Sequence, residues 1–192
     1  MSPKEYYLHR SKDLSLELKE LQSRSNRFVV LRLGLFLCMP LSVYVLFSNL
    51  YLATAVSLLF LASFLFVVRK SVDLKNNILF YKSLIKINDD ELNVLSGDFS
   101  AFHNGQEFMD PSHPNSYDMD VFGEKGIFQY LNRTISLKGR ELLANYLKNG
   151  IEKLDAHHQT IKNLILDIEW TQAFRAKGMR DENIDERYID SW

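Results

Sequence analysis

"FVVLRLGLFLCMPLSVYVLFSNLYLATAVSLLFLASFLFVV", Phe28 to Val68, decides how this chain folds: Arg32 is the only charged residue in it. A helix of about 20 apolar residues crosses a hydrocarbon core about 30 Å thick, and this stretch holds two such lengths in succession. The polar pair Ser48-Asn49 divides it and marks the turn, with Tyr44 and Tyr51 on either side at interfacial depth. Pro40 falls inside the first span, where a membrane helix tolerates it at the cost of a kink. Arg32 sits about one turn from the start, near enough for its guanidinium to reach back to the interface. The reading is a transmembrane helical hairpin over residues 28–68.

The flanks fix its orientation. Arg24, Arg27 and Arg32 precede or open the hairpin, Arg69, Lys70 and Lys75 follow it, and the turn carries no charge. The positive-inside rule then places both termini in the cytoplasm, as expected of a multi-pass protein of the inner (cytoplasmic) membrane whose first partner is the lipid bilayer. A cleaved signal peptide does not fit, because the polar residues 1–27 come first, no small-residue cleavage pattern follows, and a second apolar span does.

Outside the hairpin the composition is ordinary. The chain has 192 residues and a formal net charge of -1, which gives no global electrostatic reason to expect nucleic acid. Cys38 is the only cysteine, so no intrachain disulfide can form, and its apolar setting reads as a small buried hydrophobe.

Helical periodicity continues on both sides. Leu14, Leu18 and Leu21 share one face of a cytosolic amphipathic helix within residues 1–27. Leu74, Ile78, Tyr81 and Ile85 share one face within residues 69–97, so the two segments are expected to pair as an antiparallel stalk. "NDDELNVLSG" reads as a short capped segment, with Asn88 or Asp89 accepting free N–H groups and Gly97 giving a left-handed exit.

Residues 98–122 lose the helical period. Asn104-Gly105 between Phe102 and Phe108 predicts a small β-hairpin, and Pro111 and Pro114 hold the chain extended. His103, Asp110, His113, Asp118 and Asp120 are residue types that bind metals, but none stands at the spacing a metal site requires. "SYDMD" alternates instead, Tyr117, Met119 and Val121 against Asp118 and Asp120, as an extended segment with one buried face does. No metal is therefore expected.

The remainder, residues 123–192, reads as helices. "EKGIFQYLN" places Ile127, Phe128 and Leu131 on one face. "SLKGRELLANYLKNG" has Ser136 as N-cap, Leu142, Leu143, Tyr146 and Leu147 as its apolar residues, and Gly150 as its stop. A third, longer helix runs from Asp155 to Gly178 along Ile161, Leu164, Ile165, Ile168 and Phe174. His157 and His158 are adjacent and point to different faces, which suits solvated roles.

The run "SYDMDVFGEKGIFQYLNRTISLKGRELLANYL", followed by "HHQTIKNL" and "FRAKG", resembles the start of the core (lever) region of MutS-type DNA mismatch-repair ATPases. The match is nearest to a membrane-anchored MutS-like subgroup with an N-terminal transmembrane hairpin. The elements that recur in order are the aspartates Asp118 and Asp120, then Leu131-Asn132-Arg133-Thr134, then Gly139 and its Leu-rich helix, then Gln159 and Ile161. The fold class implied is mainly α: a transmembrane hairpin with a helical stalk, an extended or β-hairpin lead-in, and a partial all-α core domain.

In the residues themselves, Asn132 and Thr134 stand between two helices, where an amide and a hydroxyl can tie off free backbone groups. Arg133 is expected to pair with Asp118 or Asp120. Asn132-Arg133-Thr134 is also a glycosylation sequon, unused on the cytoplasmic side. Phe122-Gly123-Glu124 matches the family's mismatch-reading Phe-x-Glu pattern, but in the wrong domain, and three residues carry little specificity.

The resemblance implies that a complete protein binds ATP and Mg, contacts DNA and forms a homodimer. This chain contains no G-x-x-x-x-G-K-[ST] loop, so no ATPase or other enzyme activity is expected of it alone, and no catalytic, cofactor or metal residue is assigned. Acids outnumber bases from Ile151 onward, which argues against strong DNA binding by this part. The acidic close "RDENIDERYIDSW" suggests a fragment of a longer frame. The contrasting expectation is a membrane-tethered helical adaptor for a protein partner.

Overall fold

The computed structural model describes residues 2–110, 119–151 and 154–179, the side chains of 154–157 excepted. The protein is mainly α-helical: α1 (Pro3–Val45), α2 (Leu50–Leu95), a 3-10 turn (Gln106–Phe108), α3 (Ile127–Leu131), α4 (Leu137–Asn149), α5 (Leu154–Ile165) and α6 (Ile168–Gly178). No strand occurs among the described residues. Two units are distinct, one comprising Asp13–Lys82 and the other Met1–Lys12 with Ser83–Trp192.

The Asp13–Lys82 unit is an antiparallel pair formed by α1 and α2. Its turn lies where the polar pair predicts it: Asn49 Oδ1 accepts from Leu52 N at 3.3 Å, capping the start of α2. The seam between the helices is narrow, with Ala53 fully buried, Ser42 Oγ 3.0 Å from Ser57 Oγ, and the rings of Phe36 and Phe64 6.5 Å apart. Leu14, Ser71 and Leu74 are buried farther along, so the predicted pairing faces begin in this unit.

Around that seam the surface is apolar. Phe47 is 82% and Tyr51 89% exposed, and Val30, Leu33, Leu59 and Phe66 are exposed with them. None of the most apolar window of α1 is buried, whereas the core helix of a soluble protein hides such a face. Both helices are long and apolar enough to cross a membrane. At 43 residues α1 is about 65 Å long, roughly twice the hydrocarbon thickness, so most of a second span's length is left over.

In the other unit α2 runs unbroken to Leu95 before Gly97 turns it out at φ +90°. The separate capped segment expected at Asn88 is therefore absent, and the reason is burial. Asn88 is fully buried and donates to Leu84 O at 2.7 Å, while exchanging amide bonds of 3.3 and 3.1 Å with Gln172 of α6. A side chain satisfied from inside the helix has no call to end it.

The core of this unit is an aromatic triangle of Phe108, Phe122 and Phe128, with centroids 5.5 to 6.2 Å apart, closed by Val121, Leu143, Ala144 and Leu147. Three expectations for residues 98–131 are corrected. Asn104-Gly105 does not turn a β-hairpin: Asn104 Oδ1 accepts from Gln106 N and the chain enters the 3-10 turn. Met119 is exposed rather than aligned with buried Val121, because Asp120 lies at φ 48° in a turn that breaks the alternation. On α3 only Phe128 of the expected apolar face is buried, alongside Gln129 and with Asn132 just beyond, while Ile127 and Leu131 are exposed.

The helix α4 forms as read, with Ser136 Oγ accepting from Gly139 N at 3.0 Å. The long third helix is instead two. Asp167 Oδ1 accepts from Trp170 N at 2.9 Å and starts α6 afresh, so a residue read as helical interior is an N-cap. The proposed cap Asp155 falls within α5, among the side chains outside the description.

Candidate functional site at the Arg133 junction

The family-like "LNRT" stretch lies where α3 ends, and its three polar residues each take a distinct task. Asn132 N–H bonds Phe128 O and so ends α3. Its side chain donates to His103 O at 3.1 Å and accepts from both the N–H and the hydroxyl of Thr134, at 3.1 and 2.6 Å. One buried amide thus ties the 98–110 segment to the α3–α4 loop, as a fully satisfied buried polar group must. One turn earlier, Gln129 repeats the pattern, donating to Phe102 O at 2.9 Å and accepting from Lys125 N at 2.7 Å.

Arg133 does not pair with Asp120, and Asp118 lies outside the described residues. Its guanidinium grips Glu91 near the end of α2, Nε to Oε1 at 2.7 Å and Nη2 to Oε2 at 3.0 Å. Nη1 donates to the carbonyls of Tyr130 and Asn132, and the guanidinium carbon stands 4.0 Å above the Phe102 ring. Glu91 stands on α2 within reach of two guanidinium nitrogens, whereas Asp120 sits in an exposed turn. Arg175 of α6 also reaches Glu91 Oε1, at 3.0 Å. One carboxylate therefore joins α2, the α3–α4 loop and α6.

This clamp shapes its neighbours electrostatically. Burial raises the Tyr7 phenol above its ordinary value, with the Glu91 charge adding to the effect. Burial likewise raises Asp90, partly offset by Lys86 and Arg175. On the rim, Arg10 Nη1 and Glu169 Oε1 are 3.4 Å apart, and Ser11 Oγ donates to Asp89 Oδ1 at 2.7 Å.

Two motif residues have steric reasons. A Cβ on Gly139 would stand 3.1 Å from Ser136 Oγ and 3.2 Å from Thr134 Cβ, so its absence lets the α4 cap pack against Thr134. Asp120 contributes its backbone, its carbonyl accepting from Ile127 N at 3.4 Å beside Gly126, whose Cβ would meet that oxygen at 2.8 Å. Of the sequence-derived set, the structure brings Asn132, Arg133, Thr134 and Gly139 together and leaves the Asp120 side chain at the surface. Glu91, Gln129, Arg175 and the Asn88–Gln172 pair go beyond that set; the available signal was polar residues at positions where helical periodicity demands apolar ones.

Each hydrogen-bonded group described above is held by a structural partner. Among the described residues no group of three His, Cys, Asp or Glu is placed to hold a metal, and His113 lies outside them. His103 Nδ1 lies 3.5 Å from Glu107 Oε1, a contact that competes with a 3.1 Å bond in which the same nitrogen accepts from Gly105 N. A surface depression of 460 Å³ beside the clamp is lined by Asp98, Phe99, Phe102, Glu124, Lys125 and Gln129 among others, and its charges are mixed. Comparison with protein-family models, with curated proteins and with solved structures finds no match to this chain.

Proposed function

We propose that this chain is the membrane-anchored N-terminal portion of a MutS-like DNA-binding ATPase, carrying the anchor and the start of the lever but not the motor. The observation that carries the reading is the ordered series Asp120, Asn132-Arg133-Thr134, Gly139 and the Leu-rich α4 behind an apolar helical pair. In this reading α1 and α2 cross the inner membrane as a hairpin with both termini cytoplasmic, by the excess of basic residues on that side. ATP and Mg would be held downstream, since no P-loop lies in this sequence. The clamp at Glu91 would hold the end of α2 to the start of the lever. DNA contact and homodimer formation would belong to the complete protein.

A second reading, a tethered helical adaptor for a protein partner, is favoured by one observation. Along α5 and α6, Ile161, Ile165, Leu166, Trp170 and Phe174 are exposed, Leu166 by 85%, and the Trp170 and Phe174 rings stack 5.4 Å apart. A partner helix would cover that face. The coding frame beyond Trp192 decides between them. An uninterrupted frame encoding a P-loop supports the MutS-like reading, and a stop codon followed by unrelated sequence supports the adaptor.

A further inference from the structure

We infer that a groove on α1 binds the headgroup of an anionic phospholipid. The groove measures 550 Å³ and is lined by Glu20, Arg24, Arg27, Phe28 and Leu31, residues that fall on one helical face. Along it the chemistry changes from two guanidiniums to two apolar side chains, at the point where the apolar run of α1 begins. A phospholipid presents the same order, a phosphate and then its acyl chains, when the helix crosses the bilayer. The inference rests on that membrane reading.

The arginines are available. Arg24 bonds Glu20 at 2.6 Å, but the two side chains are 57% and 64% exposed, and such a pair yields readily to a competing anion. Arg27 is exposed. One turn beyond Phe28, the Nε of Arg32 is shielded from solvent and has no hydrogen-bond partner among the described residues. A free inorganic anion would gain nothing from Phe28 and Leu31 and would meet Glu20 at the groove's polar end. A lipid phosphate held at the interface uses both halves, and bidentate guanidinium contact suits it.

The test reconstitutes the full chain in phosphatidylcholine bilayers containing phosphatidylglycerol. Electron spin resonance then compares spin-labelled phosphatidylglycerol with spin-labelled phosphatidylcholine in the motionally restricted shell around the protein. The expected result is a preference for phosphatidylglycerol that falls about fivefold for each arginine removed in Arg24→Gln and Arg27→Gln, and is unchanged in Lys148→Gln. Equal restriction of the two lipids by the wild-type, bilayer-inserted chain overturns the inference and leaves the membrane reading standing. Failure to insert overturns both. Loss of the phosphatidylglycerol preference to inorganic phosphate, at ionic strength matched with chloride, would overturn the lipid as occupant in favour of a free anion.

Discussion

Arg133 and Glu91, forty-two residues apart in sequence, meet through two parallel hydrogen bonds of 2.7 and 3.0 Å, and Arg175 shares the same carboxylate. The side chains of Glu91 and Arg133 are 14% and 25% exposed, so the pair is largely but not wholly removed from water. Its worth therefore lies between that of a surface pair and that of a buried one. Arg133→Met should lower stability by about 1–3 kcal/mol, because it leaves Glu91 with one cation and uncovers Phe102. A double-mutant cycle with Glu91→Gln, read by thermal melting in detergent, should give a coupling of about 1 kcal/mol or more. Additive effects would show that the two side chains do not interact.

Gly105 is fixed by two separate constraints. Its φ is +69°, and a Cβ there would come within 2.6 Å of the Phe128 ring at the centre of the aromatic triangle. Phe128 is fully buried and cannot swing aside. Gly105→Ala should thus cost about 2–4 kcal/mol, more than a left-handed backbone alone would impose. Gly97, also at positive φ but with open space around it, is the control: Gly97→Ala should cost about 1 kcal/mol.

Asp90 and Tyr7 make stability depend on pH at opposite ends of the scale. Burial raises Asp90 above 3.8, so the folded state holds that proton more tightly than the unfolded chain. Its contribution is present below 3.8 and is lost as pH rises through the raised value, leaving a net penalty at neutrality. Asp90→Asn should accordingly raise the melting temperature at pH 7 and leave it nearly unchanged in acid. Tyr7, raised from 10.0, favours the folded state's neutral phenol, and stability should fall as pH climbs past 10.0. Tyr7→Phe should flatten that alkaline decline in melts recorded across the range.

Asp167 starts α6 afresh within an apolar stripe that runs on from α5. Asp167→Ala removes the acceptor for Trp170 N and should cost about 1 kcal/mol, with Asp167→Asn nearly neutral. Helix content by circular dichroism should fall in the alanine variant alone. Equal loss in both would point to the charge of Asp167 rather than to its capping oxygen.

Much of the fold was legible because its strongest signals are local. Two apolar lengths, the Ser48-Asn49 turn, the Ser136 cap and the Gly97 exit each act within a few residues, and each is where the pattern puts it. A further local signal is the reciprocal capping box of Ser2 and Glu5 that starts α1, Ser2 N to Glu5 Oε2 at 2.8 Å. The Arg133 junction was only half legible. Its density of polar residues marked the site, but the partner was set by tertiary approach, and Glu91 lies in a segment whose pattern reads as a short capped helix. Asn88 misled for the same reason, since its amide is equally suited to capping a helix and to pairing with Gln172 inside the core. A single aspartate decided the break between α5 and α6, where the apolar stripe on both sides continues without interruption.

The central claim is that α1 and α2 carry an apolar surface that belongs in a bilayer. Cells expressing the chain, lysed without detergent and washed with alkaline carbonate before high-speed centrifugation, test it most directly. The protein is expected to stay in the membrane pellet and to be released only by detergent. Recovery in the supernatant as a monodisperse species would contradict it.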